Sequence, residues 1–337
     1  MADKQKRAKV GGLNKRPAHR PPAGDGVSDD DFVAAWFAAG CSATKTSEAL
    51  GIQVRGLYKR RARMQAKGID LPGISLNPGY SRAKWHTPRN IDVHVAPGVV
   101  LIGSDAHVWP GDPSPTWRAF CEVAHMLKPA VIVLNGDMID GASISRHARS
   151  PGGAPTLSDE ITALREWLAM LPSGSEQYWT LGNHDARVDN YLAANAPELQ
   201  DYTGSLTDRF SDWAFAWQIT INDIVAIRHR FRSGIHAGWN NALHAGISTV
   251  TGHTHQLDCK PVVDLRGTRY GIECGTLTDP SGPQFQYHEG APSRARPGFV
   301  VLTFGEDGVL RPPEIAEWMG GVIWFRGAQW GQPLSKA

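Results

Sequence analysis

The stretch STVTGHTHQ, residues 248–256, presents two histidines two positions apart at the end of a short apolar run. In an extended segment the side chains at positions i and i+2 point the same way, so His253 and His255 can aim at one point. Such a pair can bind a transition metal, but a lone His-x-His is more often an ordinary loop. A metal site therefore requires further donors elsewhere in the chain.

Four other apolar runs end in the same kinds of residue: GVVLIG from residue 98, AVIVLNG from 130, QYWTLG from 177 and DIVAIR from 223. Short continuous apolar runs predict strands covered on both faces, and the helix-like stretches between them predict an α/β layered domain. Sites in such folds collect outside the carboxyl ends of the strands. The residues that follow the five runs are Asp105, His107, Asp137, Asp140, Asn183, His184, Asp185, His229, His253 and His255.

The order of these motifs resembles the calcineurin-like metallophosphoesterase superfamily. Its pattern D-x-H, G-D-x-x-D, G-N-H-D, a single His and G-H-x-H stands here as SDAH, NGDMID, LGNHD, AIRHR and TGHTH, within residues 99–256. The resemblance implies a four-layer α/β/β/α sandwich, in which two sheets are flanked by helices. It also implies a two-metal site.

The resemblance further implies a ligand set for each ion and one bridging carboxylate. The ligands of the first ion would be Asp105, His107 and His255. The ligands of the second ion would be Asn183, His229 and His253, and Asp137 would bridge the two. Mixed carboxylate, imidazole and amide donors suit transition ions, with manganese as the leading candidate and iron or zinc as alternatives.

The chemistry implied by this arrangement is phosphoester hydrolysis. A hydroxide shared by the ions would attack phosphorus in line, and His184 would stabilise the developing charge or protonate the leaving oxygen. We therefore expect a two-metal hydrolase acting on phosphodiester bonds, with DNA as the candidate substrate. The alternatives are a phosphomonoesterase, or a DNA-binding regulatory or packaging protein whose body binds metal without catalysis.

Four further residues lie near the motifs. Asp140 and Asp185 are expected to orient neighbouring ligands rather than to bind metal. His147 lies in a basic segment that either faces substrate phosphate or is simply solvated. His236 competes with His229 for one ligand position, because the family often has glycine after this histidine and an arginine follows here. We prefer His229, which ends an apolar strand.

Charge is distributed unevenly along the 337 residues. Residues 1–67 contain 14 Lys or Arg and 6 Asp or Glu, whereas the remainder contains 21 and 27. A basic front end on an acidic body indicates a polyanionic partner. Residues 1–26, which are basic and rich in Pro and Gly, predict a disordered arm.

Residues 27–67 predict three short helices, with Ser28 as a cap and Gly40 and Gly51 as stops. Two short helices followed by a basic one resemble the helix-turn-helix units of phage and bacterial DNA-binding proteins. A basic helix that is merely solvated is the alternative. Residues 68–97 are expected to be a linker and 98–337 the phosphoesterase domain. The expected DNA-facing side chains are Arg55, Lys59, Arg60, Arg61 and Arg63.

Two classes of protein are disfavoured by composition. The sequence lacks an apolar run of about 18 residues, so we expect neither a membrane span nor a membrane partner. The 4 cysteines are scattered without a C-x-x-C pair, which favours reduced thiols over a disulfide framework. We therefore expect a cytoplasmic protein, in the host cytoplasm if it is phage-encoded. The sequence leaves the oligomeric state open.

Overall fold

A computed structural model describes residues 26–69, 71, 87–145, 153–199, 203–288 and 293–331. The chain divides into two compact units, Met1–Trp85 and His86–Ala337. The expected arm over residues 1–26 lies outside the described residues apart from Gly26. The side chain of Arg55 and the whole of His147 also lie outside the described part.

Within its described residues, the first unit contains three helices: α1 Asp29–Ala38, α2 Ala43–Leu50 and α3 Val54–Ala66. Ser28 and Ser42 cap the first two, each accepting a hydrogen bond from a backbone N–H of the first turn. Gly51 ends α2 in the left-handed conformation, at φ 64°. The expected succession of two short helices and a basic third is therefore present, and its DNA-binding role stays a prediction.

The core of this unit explains which face of α3 is turned inward. Phe32 and Trp36 of α1 are fully buried together with Leu57 of α3, and Met64 is 1% exposed. Positions 57, 60, 61 and 64 fall on one side of a helix with 3.6 residues per turn. Two arginines therefore share the inward side of α3 with the apolar residues.

The expectation that Arg60 faces outward is wrong. Its guanidinium lies 3.0 Å from the Asp29 carboxylate and 5.2 Å from the centroid of the Phe32 ring, and the residue is only 7% exposed. It also donates to the carbonyl of Val27. Arg60 therefore fastens α3 to the start of α1 and is not available to DNA.

Arg61 is also engaged within the unit. Its guanidinium donates to the carbonyl of Leu71, at 3.0 and 2.9 Å, and lies 5.1 Å from the Trp36 ring centroid. Lys59 and Arg63 remain exposed on the opposite side of α3. Of the expected DNA-facing residues whose side chains are described, these two are presented to solvent.

Replacing Arg60 with methionine is expected to lower the stability of the helical unit by about 1–3 kcal/mol, because the half-buried carbonyl of Val27 and the Phe32 ring lose their cationic partner. Amide hydrogen exchange of residues 29–66 in the full chain measures this. Lys59→Met, at an exposed position, is the control and should change the exchange little. Equal exchange in the two variants would contradict the structural role of Arg60.

The second unit is built on two sheets. The larger has the strand order β14-β13-β12-β11-β2-β3-β4-β5, and the smaller has the order β1-β6-β7-β8-β10-β9. The strands are β1 Ile91–Val93, β2 Gly98–Gly103, β3 Val131–Leu134, β4 Glu176–Thr180, β5 Ala214–Ala216, β6 Ile219–Ile221, β7 Val225–Arg228, β8 Ser248–Thr251, β9 Leu257–Asp264, β10 Gly267–Cys274, β11 Gly298–Phe304, β12 Glu314–Met319, β13 Val322–Phe325 and β14 Ala328–Trp330. The helices are α4 Pro115–Leu127, α5 Leu157–Leu168, α6 Arg187–Asn195 and α7 Ala237–Ala245, with 3-10 turns at Ala142–Ile144, Pro197–Leu199, Thr207–Arg209 and Pro283–His288.

Side-chain alternation along β2 shows how the layers are stacked. Val100 and Ile102 enter the core between the sheets, where they meet residues such as Ile227 of β7. Leu101 points the opposite way, into a second core that contains Trp117 of α4. Helices α4 and α5 cover the outer face of the larger sheet, and α7 packs on the smaller one. The predicted four-layer α/β/β/α sandwich is therefore confirmed.

The sheet begins earlier than the sequence indicated. Strand β1, Ile91–Val93, lies in the segment 68–97 that was expected to be a linker, and it pairs in parallel with β6. A three-residue strand carries too little periodicity to be recognised locally. Among the described residues, no helix has the length and apolar character needed to cross a membrane.

Candidate metal centre

The five strands predicted from the apolar runs end at one place in the fold. Strands β2, β3 and β4 are neighbours in the larger sheet and run parallel. Strands β7 and β8 are parallel neighbours in the smaller sheet. The motif residues follow the carboxyl ends of these strands. His255, after β8 of the smaller sheet, directly contacts Asp105, after β2 of the larger sheet.

The first donor group consists of Asp105, His107 and His255, whose ligand atoms all lie within 4.8 Å of one another. The His255 Nε2 atom is 3.2 Å from Asp105 Oδ1 and 3.2 Å from His107 Nε2. Asp105 is fully buried and His107 is 3% exposed. The structure thus brings together the three residues predicted to hold one ion, and their role as ligands stays a prediction.

The second donor group consists of Asp137, His229 and His253, again within 4.8 Å of one another. The Nε2 atom of His229 lies 3.0 Å from Asp137 Oδ2 and 4.0 Å from Asp105 Oδ1. His229 therefore stands between the carboxylates of the two groups. This contact places the two predicted ligand sets side by side.

Asn183, the amide predicted for the second ion, provides a test of whether the site fits a cation. Its Oδ1 atom is buried and has no hydrogen-bond partner among the described residues. A buried polar atom without a partner costs about 1–3 kcal/mol, so such atoms are rare. Coordination of a metal ion would give this oxygen the partner it lacks.

The electrostatics of the two groups also fit divalent cations. Burial alone would lower the pKa of His107, yet Asp105 and Asp140 raise it to about 10. Burial alone would also lower the pKa of His229, yet Asp137 and Asp105 raise it to about 9. A buried centre that stabilises positive charge to this degree is suited to divalent cations, which the carboxylates would neutralise.

Two motif glycines are required by close approach to the carboxylates. A Cβ atom on Gly182 would stand 2.1 Å from Asp137 Oδ1. One on Gly252 would stand 2.0 Å from Ser104 Oγ and 2.7 Å from Asp105 Oδ2. The glycine at the end of β8 therefore lets the two following histidines approach Asp105 without a clash.

Backbone conformation marks the same residues. Five motif residues adopt positive φ, between 40° and 71°, a region that residues other than glycine seldom occupy. Such strain persists only where the surrounding structure imposes it, and it concentrates at functional sites. The five residues are Asp105, His107, Asp137, His253 and His255.

The structure distinguishes His229 from His236. His229 is 1% exposed, and its Nδ1 lies 2.7 Å from the carbonyl of Asn135. That hydrogen bond assigns the proton to Nδ1 and leaves Nε2 directed at Asp137. His236 is exposed at the start of α7, outside both donor groups.

Asp185 supports the loop that carries Asp137. Its carboxylate accepts hydrogen bonds from the backbone N–H of Asp137 at 2.9 Å and of Met138 at 3.0 Å. It also accepts from the N–H of Gly182 at 2.9 Å and from the indole of Trp179 at 3.0 Å. With four donors around its two oxygens, Asp185 orients the backbone and does not present a free oxygen to the centre.

Sequence reasoning missed two residues that hold the loop of residues 140–142. Glu160 of α5 is fully buried, and its side chain accepts from the three backbone N–H groups of this loop. Arg187, at the start of α6, donates to the carbonyl of Asp140. A signal for Glu160 was present: it shares the apolar face of α5 with Leu164 and Trp167, at helical spacing.

Glu160 also predicts a dependence of stability on pH. Burial raises its pKa from the ordinary 4.5 to about 7, although the backbone hydrogen bonds lower it. The pKa of Glu160 is higher in the folded than in the unfolded chain, so its protonated form stabilises the fold. This stabilisation is complete below pH 4.5 and is lost as the pH rises to about 7. The free energy of unfolding should fall by roughly 3 kcal/mol over this range relative to Glu160→Gln. Urea unfolding of both proteins measures it, and parallel pH profiles would contradict it.

Two stacked sheets with paired carboxylate and imidazole groups at a common edge define a layered α/β protein with a candidate two-ion centre. A sequence model of calcineurin-like phosphoesterases matches residues 92–265, over half of the chain and all five motifs. The chain belongs to the calcineurin-like phosphoesterase family, and the predicted resemblance is confirmed. Membership supports a hydrolase acting on phosphoesters, and together with the donor groups it indicates divalent metal ions.

Several known proteins are similar to this chain. The Gene 54 protein of Mycobacterium phage L5 is 29% identical over 259 residues, which cover 68% of this chain and 98% of that protein. A solved structure of an archaeal phosphodiesterase is 16% identical, with 64% of this chain and 99% of that chain covered and a TM-score of 0.34. Vps29 from Entamoeba histolytica, complexed with zinc, is 15% identical, with 68% and 95% covered and a TM-score of 0.36.

Proposed function

We propose that this protein hydrolyses phosphodiester bonds with two divalent ions, manganese first among them, and that its substrate is DNA in a bacterial host cytoplasm. The contact of His229 Nε2 with Asp137 at 3.0 Å and with Asp105 at 4.0 Å carries the proposal. It brings the two donor groups within the range over which one carboxylate can bridge two ions. Asp137 is the carboxylate we assign to the bridge.

Two ions held by these groups would polarise the phosphoryl oxygens and activate water for in-line attack. The chain itself supplies orientation and a proton. The backbone N–H of His184 donates to Asp137 Oδ1 at 2.7 Å, which keeps that carboxylate in place. The Nδ1 atom of His184 donates to the carbonyl of Asp140 at 2.8 Å. The hydrogen bond fixes the orientation of the His184 ring, and we propose that this side chain stabilises the charge on the leaving oxygen or protonates it when metal and substrate are bound.

DNA is favoured as the substrate by the basic front end. The exposed Lys59 and Arg63 of α3 suit contacts with phosphates, and residues 1–67 hold 14 basic against 6 acidic residues. Phosphate contacts of this kind supply affinity without sequence recognition and weaken as salt is raised. The phage relative is compatible with a role in a viral life cycle inside a bacterium.

The reaction is tested with bis-p-nitrophenyl phosphate and p-nitrophenyl phosphate after chelation and return of Mn²⁺, with Zn²⁺ and Fe²⁺ in parallel. We expect cleavage of the diester that depends on the returned metal. Cleavage of the monoester alone would assign a phosphatase. Metal binding without cleavage of either ester would favour a regulatory or packaging protein.

The DNA partner is tested separately by duplex binding to the full chain at several salt concentrations. Lys59→Glu combined with Arg63→Glu should weaken binding and flatten its salt dependence. The control is Arg89→Glu combined with Lys128→Glu, which makes the same charge change at exposed positions of the second unit. Equal binding by the two double variants would remove α3 as the DNA-binding element.

A further inference from the structure

The position of Asp140 links two histidines of the centre. Its Oδ1 atom lies 3.1 Å from Nδ1 of His107 and 3.2 Å from Nδ1 of His184. One histidine is a predicted metal ligand and the other is the proposed proton donor. A shift of the 140–142 loop would therefore disturb both at once.

The N–H groups of the 140–142 loop all point at one side chain. The Glu160 oxygens accept from the backbone nitrogens of Asp140 at 3.0 Å, Gly141 at 2.6 Å and Ala142 at 3.0 Å. Glu160 is fully buried, so water does not compete for these hydrogen bonds. Buried polar groups that are fully satisfied in this way fix the conformation of the backbone they bind.

The carbonyl groups of the same loop point at a second side chain. Arg187 Nη1 donates to the carbonyl of Asp140 at 2.7 Å and to that of Gly141 at 3.3 Å. Arg187 Nη2 lies 3.1 Å from Nε2 of His184. A Cβ atom on Gly141, whose φ is +63°, would approach Arg187 Cδ to 3.2 Å, so the glycine leaves room for the guanidinium.

We propose that Glu160 and Arg187 form a backbone clamp that positions Asp140 and, through it, His107 and His184. Glu160, on α5, binds the N–H groups of the loop, and Arg187, at the start of α6, binds its carbonyl groups. Both are positioning residues, because neither belongs to the two donor groups. This inference rests on the proposed function, since the clamp acts on the proposed metal ligands and proton donor.

Calorimetric titration of Mn²⁺ into the chelated full-length protein tests the clamp without relying on activity. Glu160→Gln and Arg187→Met should each weaken Mn²⁺ binding about tenfold, because partners that orient a metal-binding histidine contribute on that scale. The double variant should weaken Mn²⁺ binding by a factor smaller than the product of the two single-variant factors, because both changes release the same loop. Glu166→Gln, an exposed position on α5, is the control and should bind as the unmodified protein does.

Dissociation constants within twofold of the unmodified protein in both folded single variants would overturn the clamp. If Glu160→Gln does not fold, as judged by circular dichroism, the partly exposed Arg187→Met decides the matter. Diester hydrolysis by the unmodified protein is measured in the same samples. Its absence would overturn the proposed reaction, whereas the Mn²⁺ titration reports on the clamp in either case.

Discussion

Replacing Asp137 with asparagine is expected to lower metal-dependent hydrolysis of bis-p-nitrophenyl phosphate by on the order of 10³-fold. One oxygen of Asp137 accepts from the N–H of His184 at 2.7 Å, and the other lies 3.0 Å from His229 Nε2. The amide removes a negative charge and replaces one of these oxygens with a donor. A group so altered cannot bridge two cations.

Loss of stability is measured separately from loss of rate. Burial raises the pKa of Asp185 and the charge of Asp137 raises it further, so these two carboxylates repel each other. Asp137→Asn relieves this repulsion but also removes the negative charge nearest to the buried His229, so the thermal midpoint is recorded and rates are compared only where the variant is folded. Asp212→Asn, at an exposed aspartate of the same unit, is the matched control and should keep full activity. More than a tenth of the original activity in Asp137→Asn would exclude Asp137 as the bridge.

Replacing His229 with alanine is expected to reduce hydrolysis by on the order of 10²-fold, whereas His236→Ala should change it little. His229 is 1% exposed and stands between Asp105 and Asp137, with its Nδ1 anchored on the carbonyl of Asn135. His236 lies exposed at the start of α7. The pair of variants therefore separates the two histidines that the motif pattern left in competition.

For the His229→Ala variant, both the rate of hydrolysis and the affinity for Mn²⁺ are measured. His229→Ala should also weaken Mn²⁺ binding, because an imidazole of one donor group is removed. A variant that keeps its Mn²⁺ affinity but loses its rate would assign His229 to the substrate rather than to a metal. Comparable losses in His236→Ala would show that the loop after β7 rearranges when metal binds.

The strand ends could be predicted because each is a local pattern. A continuous apolar run such as VIVL, residues 131–134, predicts a buried strand. Asp137, three residues after its end, is then expected where the chain leaves the core. Parallel order then brings these ends to one edge. The layered fold and the grouping of Asp105, Asp137 and His255 follow from this logic, with the family resemblance assigning the residues to two ions.

The inward arginine of the helical unit could not be predicted in this way. Arg60 lies in a run of basic residues, which by itself favours a solvated face. Its burial depends on Asp29 and Phe32 of α1, some 30 residues away, and on how α1 packs against α3. Lys59, the preceding basic residue, lies about 100° away around the helix and is exposed.

The sequence by itself determined an α/β layered domain and the donor residues at the strand ends, because burial and alternation are properties of neighbouring residues, and the family resemblance added the four-layer α/β/β/α arrangement. Only the tertiary structure decided which partners hold those donors in place. The helical spacing of Glu160 indicates only that it faces inward, whereas the structure shows that it accepts hydrogen bonds from three backbone N–H groups of a loop about 20 residues earlier. Such contacts join distant segments, so no local pattern contains them.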